Sequence, residues 1–305
     1  MYNATLYIVT VLIWGSTWLA IKFQLGEVAP ELSIAYRFGL AALILILFSL
    51  TRRLPMRFSF KTHGFFALQG LLLFSLNYIL VYLAEGYLTS GLVAIIFSLI
   101  IVFNVLFGAI FLSNPVRVQV VIGAVLGLLG LSLVFLPELS SLNLSGQKMI
   151  GMLLALVATV SASLGNVISA RNQRHKLPVI QTNAYGMLYG AIFMVVLALY
   201  RGVPLQFDTS PGYIVSLFYL AIFGSVVAFG SYLTLLGRIG LDRAAYVTIL
   251  FPVIALLLST IFENLEWGIY QLLGVGLILA GNAVVLTKKW KLPTGKNLSG
   301  ESVSK

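Results

Sequence analysis

Ten apolar runs, each about 20 residues long, leave this chain very little choice of fold. They can be drawn at 4–24, 33–50, 64–84, 88–112, 116–136, 149–170, 179–200, 212–236, 241–262 and 268–287. A helix of about 20 residues crosses the ~30 Å hydrocarbon core of a bilayer, whereas the strands of a membrane barrel would read as short alternating segments. Backbone amides in lipid must be bonded within their own segment, so each run is expected to be a transmembrane helix. Composition agrees: the chain is 60% hydrophobic and 9% charged, where a soluble domain carries about a quarter charged residues. Joints such as Arg52-Arg53-Leu54-Pro55, Pro137-Glu138 and Asp208-Thr209-Ser210-Pro211 are short and rich in turn formers, so sequential helices must be antiparallel neighbours. The expected class is an all-α integral membrane protein of ten helices.

The net charge is +10. In a soluble chain that would suggest nucleic acid, but in a polytopic one an excess of Lys and Arg in the loops sets orientation, and no nucleic-acid partner is expected. With the N-terminus in the cytoplasm, inner loops receive Arg52, Arg53, Arg57, Lys61, Arg117, Arg171, Arg174, Lys176, Arg238 and Arg243. The tail adds Lys288, Lys289, Lys291, Lys296 and Lys305, which makes 15 of the 19 basic residues. Both termini are therefore expected in the cytoplasm. The first run starts within a few residues of Met1, lacks a basic flank and outruns a leader, so no cleavable signal is expected. Cysteine is absent, which excludes disulfides, thiol chemistry and Cys-based metal sites. The two histidines, His63 and His175, fall in basic loops with nothing to pair them. No cofactor or metal is expected.

The two halves of the sequence repeat each other. Thr10, Trp14 and Thr17 share one face of the first run, and Thr159, Ser163 and Asn166 repeat that spacing in the sixth. Gly123 and Gly130 recur as Gly274 and Gly281. The turn Leu83-Ala84-Glu85-Gly86-Tyr87-Leu88 resembles Leu236-Gly237-Arg238-Ile239-Gly240-Leu241. Five helices per half is an odd number, so the second half must enter the membrane upside down. Inverted repeats of this kind belong to secondary transporters, with the substrate site between the halves near the midplane. The repeats are expected at 1–137 and 138–288, followed by a basic cytoplasmic tail, 289–305.

Trp14-Gly15-Ser16-Thr17-Trp18 with Lys22, Arg37-Phe38, Phe262-Glu263-Asn264 and the Gly274…Gly281 spacing resemble the drug/metabolite transporter superfamily, EamA-type, over about residues 4–287. The resemblance implies a 5+5 inverted-repeat fold and a central cavity lined by helices 1, 3, 4, 6, 8 and 9. It also implies export of amino acids or other metabolites across a bacterial cytoplasmic (inner) membrane. The expected cavity residues are Trp14, Thr17, Asn77, Tyr78, Tyr82, Phe97, Ser163, Asn166, Tyr232 and Tyr246. Two departures stand out. Relatives often carry Pro partway along the fourth helix, matching Pro252 of the ninth, where this chain has Leu99-Ile100-Ile101; and the usual Gly-Glu after that helix is Ser113-Asn114. Bending alike in both halves is therefore not expected.

The third run carries the clearest polar stripe, Ser75, Tyr78, Tyr82 and Glu85, all on one helical face. Such a row reads either as a cavity wall or as interhelical hydrogen bonding. Ser225 and Tyr232 form the counterpart on the eighth run. Arg37, Lys22 and Glu85 are candidates for a charge role, since ions within membrane segments are costly and often functional. Arg37 could instead pair with Glu27 or Glu31, and Lys22 could snorkel. Gly123-xxx-Gly127 and Gly186-xxx-Gly190 suit close packing within the bundle more than dimerisation; monomer and homodimer both stay open. With no Walker motif and no acid in the middle third of any run, neither ATP hydrolysis nor a buried proton relay is expected. The leading reading is an alternating-access carrier for small metabolites, with a sugar-phosphate or nucleotide-sugar exchanger as the alternative. A multipass lipid enzyme would need His, Asp or Glu clustered at one interface, which the chain lacks.

Overall fold

The computed structural model describes residues 2–24, 26–88, 90–134, 136, 146–251, 253, 254, 257 and 268–286, and only the backbone of residues 2, 18, 19, 22, 90–92, 94 and 286. Ten helices occupy them: α1 (Tyr2–Lys22), α2 (Pro30–Thr51), α3 (Phe60–Glu85), α4 (Ser90–Ser98 and Ile100–Leu112), α5 (Val118–Val134), α6 (Gly146–Arg174), α7 (Val179–Tyr200), α8 (Pro211–Ile239), α9 and α10 (Ile269–Leu286). The ninth opens at Leu241–Ala244 and resumes over 247–251 after a turn. Six of them (α2, α3, most of α4, α6, α7 and α8) are long and apolar enough to cross a membrane. Phe262-Glu263-Asn264, Pro252 and the tail from 289 lie outside the described residues.

Local chemistry sets the helix ends, and does so in matched pairs. Ser59 caps α3 by accepting from the Thr62 amide, and Ser210 caps α8 by accepting from the Tyr213 amide, each satisfying one orphan donor. The ends of α2 and α7 also match. The Leu54 amide reaches back to Ser49 O and the Val203 amide to Ala198 O, with Arg53 and Gly202 in the left-handed conformation between them. α4 is interrupted at Leu99, where the Leu99 amide bonds Ile96 O three residues back. The interruption occurs although this position carries no proline.

Packing follows the inverted repeat. α1 lies along α8 and, reciprocally, α6 lies along α3; α2 pairs with α7 and α5 with α10. The last pair is antiparallel and closes on glycine: a methyl group on Gly123 would sit 2.7 Å from Gly281 O, and one on Gly130 only 2.5 Å from Gly274 O. Gly70 of α3 meets Gly186 and Gly190 of α7 in the same way. The glycine pairs thus pack within the bundle. Leu43, Leu47 and Leu50 of α2, Val195, Val196 and Leu199 of α7, and Leu272, Leu273 and Leu279 of α10 remain exposed, a belt of apolar surface suited to lipid. Both α3 and α8 contain a wider π-helical stretch, Gly70–Leu76 and Leu220–Val227, a feature that tends to accompany functional sites.

Candidate substrate cavity

Between the halves lies a cavity of about 110 Å³, far more than a single water requires. Its wall is contributed by α1 (Trp14, Thr17, Ile21), α3 (Asn77, Tyr78, Val81, Tyr82, Glu85), α4 (Val93, Phe97, Ile100), α6 (Ala162, Asn166), α8 (Phe229, Tyr232) and α9 (Thr248, Phe251). Leu73 of α3 adds to it, and Arg37 reaches in from α2. Eight of the ten expected cavity residues are on this wall. The two others are placed elsewhere by their bonds. Ser163 is buried and donates to Asn104 Oδ1 at 2.7 Å, tying α6 to α4. Tyr246 is buried and donates to Val120 O at 2.9 Å, bracing α9 on α5.

The wall residues that the sequence reading left out are mostly apolar, and they fall on the same helical faces as those it named. Ile21 follows Thr17 by one turn, Val81 follows Asn77, Ile100 follows Phe97 and Phe229 precedes Tyr232; extending each stripe at three- and four-residue spacing would have found them. The rings pack on one another. Trp14 is 5.0 Å from both Phe229 and Tyr232, and its indole N–H donates to Gly224 O at 3.3 Å, so the aromatic wall spans α1 and α8.

The polar groups are only partly satisfied. Asn166 Nδ2 donates to the Tyr232 hydroxyl at 3.1 Å and Asn77 Nδ2 makes a long contact to Leu73 O at 3.5 Å, while both side-chain carbonyl oxygens have no partner. Arg37 is 3% exposed. Its Nε donates to Ser225 Oγ at 2.9 Å, Nη2 is 3.5 Å from the Tyr78 hydroxyl, and Nη1 has no partner. It does not pair with either acid proposed for it from sequence. Glu31 is bound by Arg201 instead, because both sit at the end of the α2–α7 pair, and Glu27 is exposed. The Lys22 side chain lies outside the described residues. Ser75 also leaves the stripe assigned to it: the π-helical stretch turns it toward α7, where it donates to Gly190 O at 2.9 Å.

The cavity runs from the middle of the bundle toward the end where Glu85 lies half-buried. The opposite end is tied shut across several helices. Gln173 Nε2 donates to Leu233 O at 2.8 Å, joining α6 to α8. Arg174 donates to Leu112 O at 2.6 Å, joining α6 to α4, and Arg117 sits 3.6 Å from Asp242 between the starts of α5 and α9.

A cavity enclosed by two inverted five-helix halves, with polar groups facing inward and lipid-suited surface outside, defines a ten-helix membrane transporter. The chain belongs to the EamA-like transporter family, whose profile matches residues 2–136 and again 149–287; it is a transporter and not an enzyme. It is 28% identical over 291 residues to the uncharacterized inner membrane transporter YedA of Escherichia coli K12, covering 92% of this chain and 90% of that one. It is likewise 28% identical over 287 residues to the uncharacterized transporter YoaV of Bacillus subtilis, covering 92% and 96%. A protein solved by crystallography has the same fold, with a TM-score of 0.78 at 20% identity over 93% of this chain and 96% of that one.

Proposed function

We propose that this transporter exports amino acids or similar small polar compounds from the cytoplasm of a bacterial cell by alternating access. The observation that carries the reading is the cavity itself, an aromatic-walled chamber between the halves on whose wall three buried polar atoms, Arg37 Nη1 and the side-chain oxygens of Asn77 and Asn166, have no protein partner. Buried polar groups in a packed core usually find partners; here three unpartnered ones share the wall of a single chamber, where cargo can meet them. The loop charges favour cytoplasmic termini. In that orientation the cavity faces outward, and the ties from Gln173, Arg174 and Arg117 form the closed inner gate. Cycling would break those ties as the halves, about 1–137 and 138–288, rock past one another. An exchanger of sugar phosphates is less well served, because Arg37 is the one basic side chain on the wall among the described residues and a phosphate dianion calls for more.

The test is efflux from liposomes containing the purified protein and loaded with a panel of labelled amino acids and amines. At least one panel compound should leave faster than from protein-free liposomes. If none does, the reading fails.

A further inference from the structure

We infer that Arg37 selects cargo that carries a carboxylate, and that the acceptors elsewhere on the wall take an ammonium group of the same molecule. The inference rests on the transport reading above and narrows it to zwitterions.

A guanidinium stays ionised in any protein environment, and a buried cation without a partner is expensive within a membrane. Arg37 is buried, yet no carboxylate lies within ion-pair distance of it among the described residues. What it does have holds it in place without neutralising it. Ser225 fixes Nε, and the ring centroids of Phe38 and Tyr78 lie 5.3 and 5.0 Å from Cζ. Rings stabilise a cation by a modest amount and leave its outer donors free. Nη1 is the donor left over, and the side chain lies on the cavity wall. The backbone has been cleared for it as well: a Cβ on Gly224 would stand 3.2 Å from Nη2 and 3.0 Å from Thr17 Cγ2.

Elsewhere on the wall the buried atoms left without partners are acceptors. The unpartnered oxygens of Asn77 and Asn166 can only accept hydrogen bonds, and Glu85 adds a carboxyl group toward the open end. A ligand with an anion at one end and N–H donors at the other meets both sets. A simple amine would leave Arg37 uncompensated, and a simple carboxylic acid would leave the oxygens unpaired.

The experiment uses the full chain in liposomes loaded with leucine, leucinamide or isoamylamine, and in parallel with phenylalanine, phenylalaninamide or phenethylamine. Initial efflux is measured for the wild type, Arg37→Gln and Arg37→Lys, with thermal melting on the same preparations. The wild type should move the amino acids faster than their amides and amines by about tenfold or more, the worth of one hydrogen bond to a buried charge. Arg37→Gln should erase that ratio, and Arg37→Lys should reduce the amino-acid flux because a point charge replaces a planar fork. If the Gln variant does not fold, the wild-type ratio and the Lys variant decide. A wild type that moves amides and amines as readily as acids overturns the inference while leaving transport intact. So does a folded Gln variant that keeps the ratio, or a Lys variant with unchanged flux. A wild type that moves none of the six overturns the inference and the amino-acid reading together.

Discussion

Ser75 and Ser225 make the same bond in opposite halves: each hydroxyl donates to the carbonyl five residues back in its own helix, at 3.1 and 3.0 Å. Both bonds lie within the π-helical stretch of their helix. Beyond that their partners differ. Ser75 also reaches Gly190 O on α7, whereas Ser225 receives the Nε proton of Arg37. Ser75→Ala should therefore act on stability, by about 1 kcal/mol for a buried bond lost, with transport per folded molecule unchanged. Ser225→Ala should act on transport, since Arg37 loses the contact that aims it. Melting temperature and efflux on both variants separate the two roles; equal effects of the two substitutions on transport would contradict this division.

Gly130→Ala or Gly274→Ala should be among the most disruptive single changes in the bundle. Each added methyl would lie 2.5 Å from a backbone oxygen of the facing helix, which no rotamer change relieves, so α5 and α10 must separate. The expected cost is about 3 kcal/mol or more, at the upper end of the overpacking range. Melting temperature and monodispersity in detergent check it. Gly276, with open space around it, is the control and should accept Ala with little change.

The helix count, the duplication and most of the cavity stripes were legible from periodicity, because lipid on the outside forces apolar residues there and confines polar ones to the interior. Three features were not legible. The wider turns in α3 and α8 shift the helical phase partway along, so Ser75 points at α7 although its spacing from Tyr78 suits a shared face. The break at Leu99 has no proline to announce it. The partner of Glu31 is Arg201, on a different half, and one sequence read without its fold offers nearer candidates such as Arg37.

Tyr82 lines the cavity with its ring. Tyr82→Ala should lower or redirect transport more than it lowers the melting temperature, since the side chain, though buried among core residues, also forms part of the cavity wall. A loss of about 3 kcal/mol or more, the usual cost of removing a core aromatic, together with normal flux, would reassign it as a bundle strut.

Orientation can be read with single cysteines, because the chain has none of its own. Thr209 and Arg57 are both exposed, in loops on opposite sides of the bundle. A cysteine at Thr209 should react with an impermeant maleimide added to intact cells, and one at Arg57 only after permeabilisation. The reverse pattern would mean that the charge distribution has been read the wrong way round.

The contact between α5 and α10 maps onto itself when the two halves trade places: Gly123 meets Gly281, and Gly130 meets Gly274. Nothing in it depends on the halves being joined or different. Two separate copies of one five-helix chain, inserted in opposite directions, could form the same seam with the same glycines. The seam therefore has the form of a homodimer interface between half-length chains, and the covalent link supplies proximity. Divergence between the halves is correspondingly free at sites such as Arg37, away from the seam, and restricted along it, where a change on one side must be answered by the other.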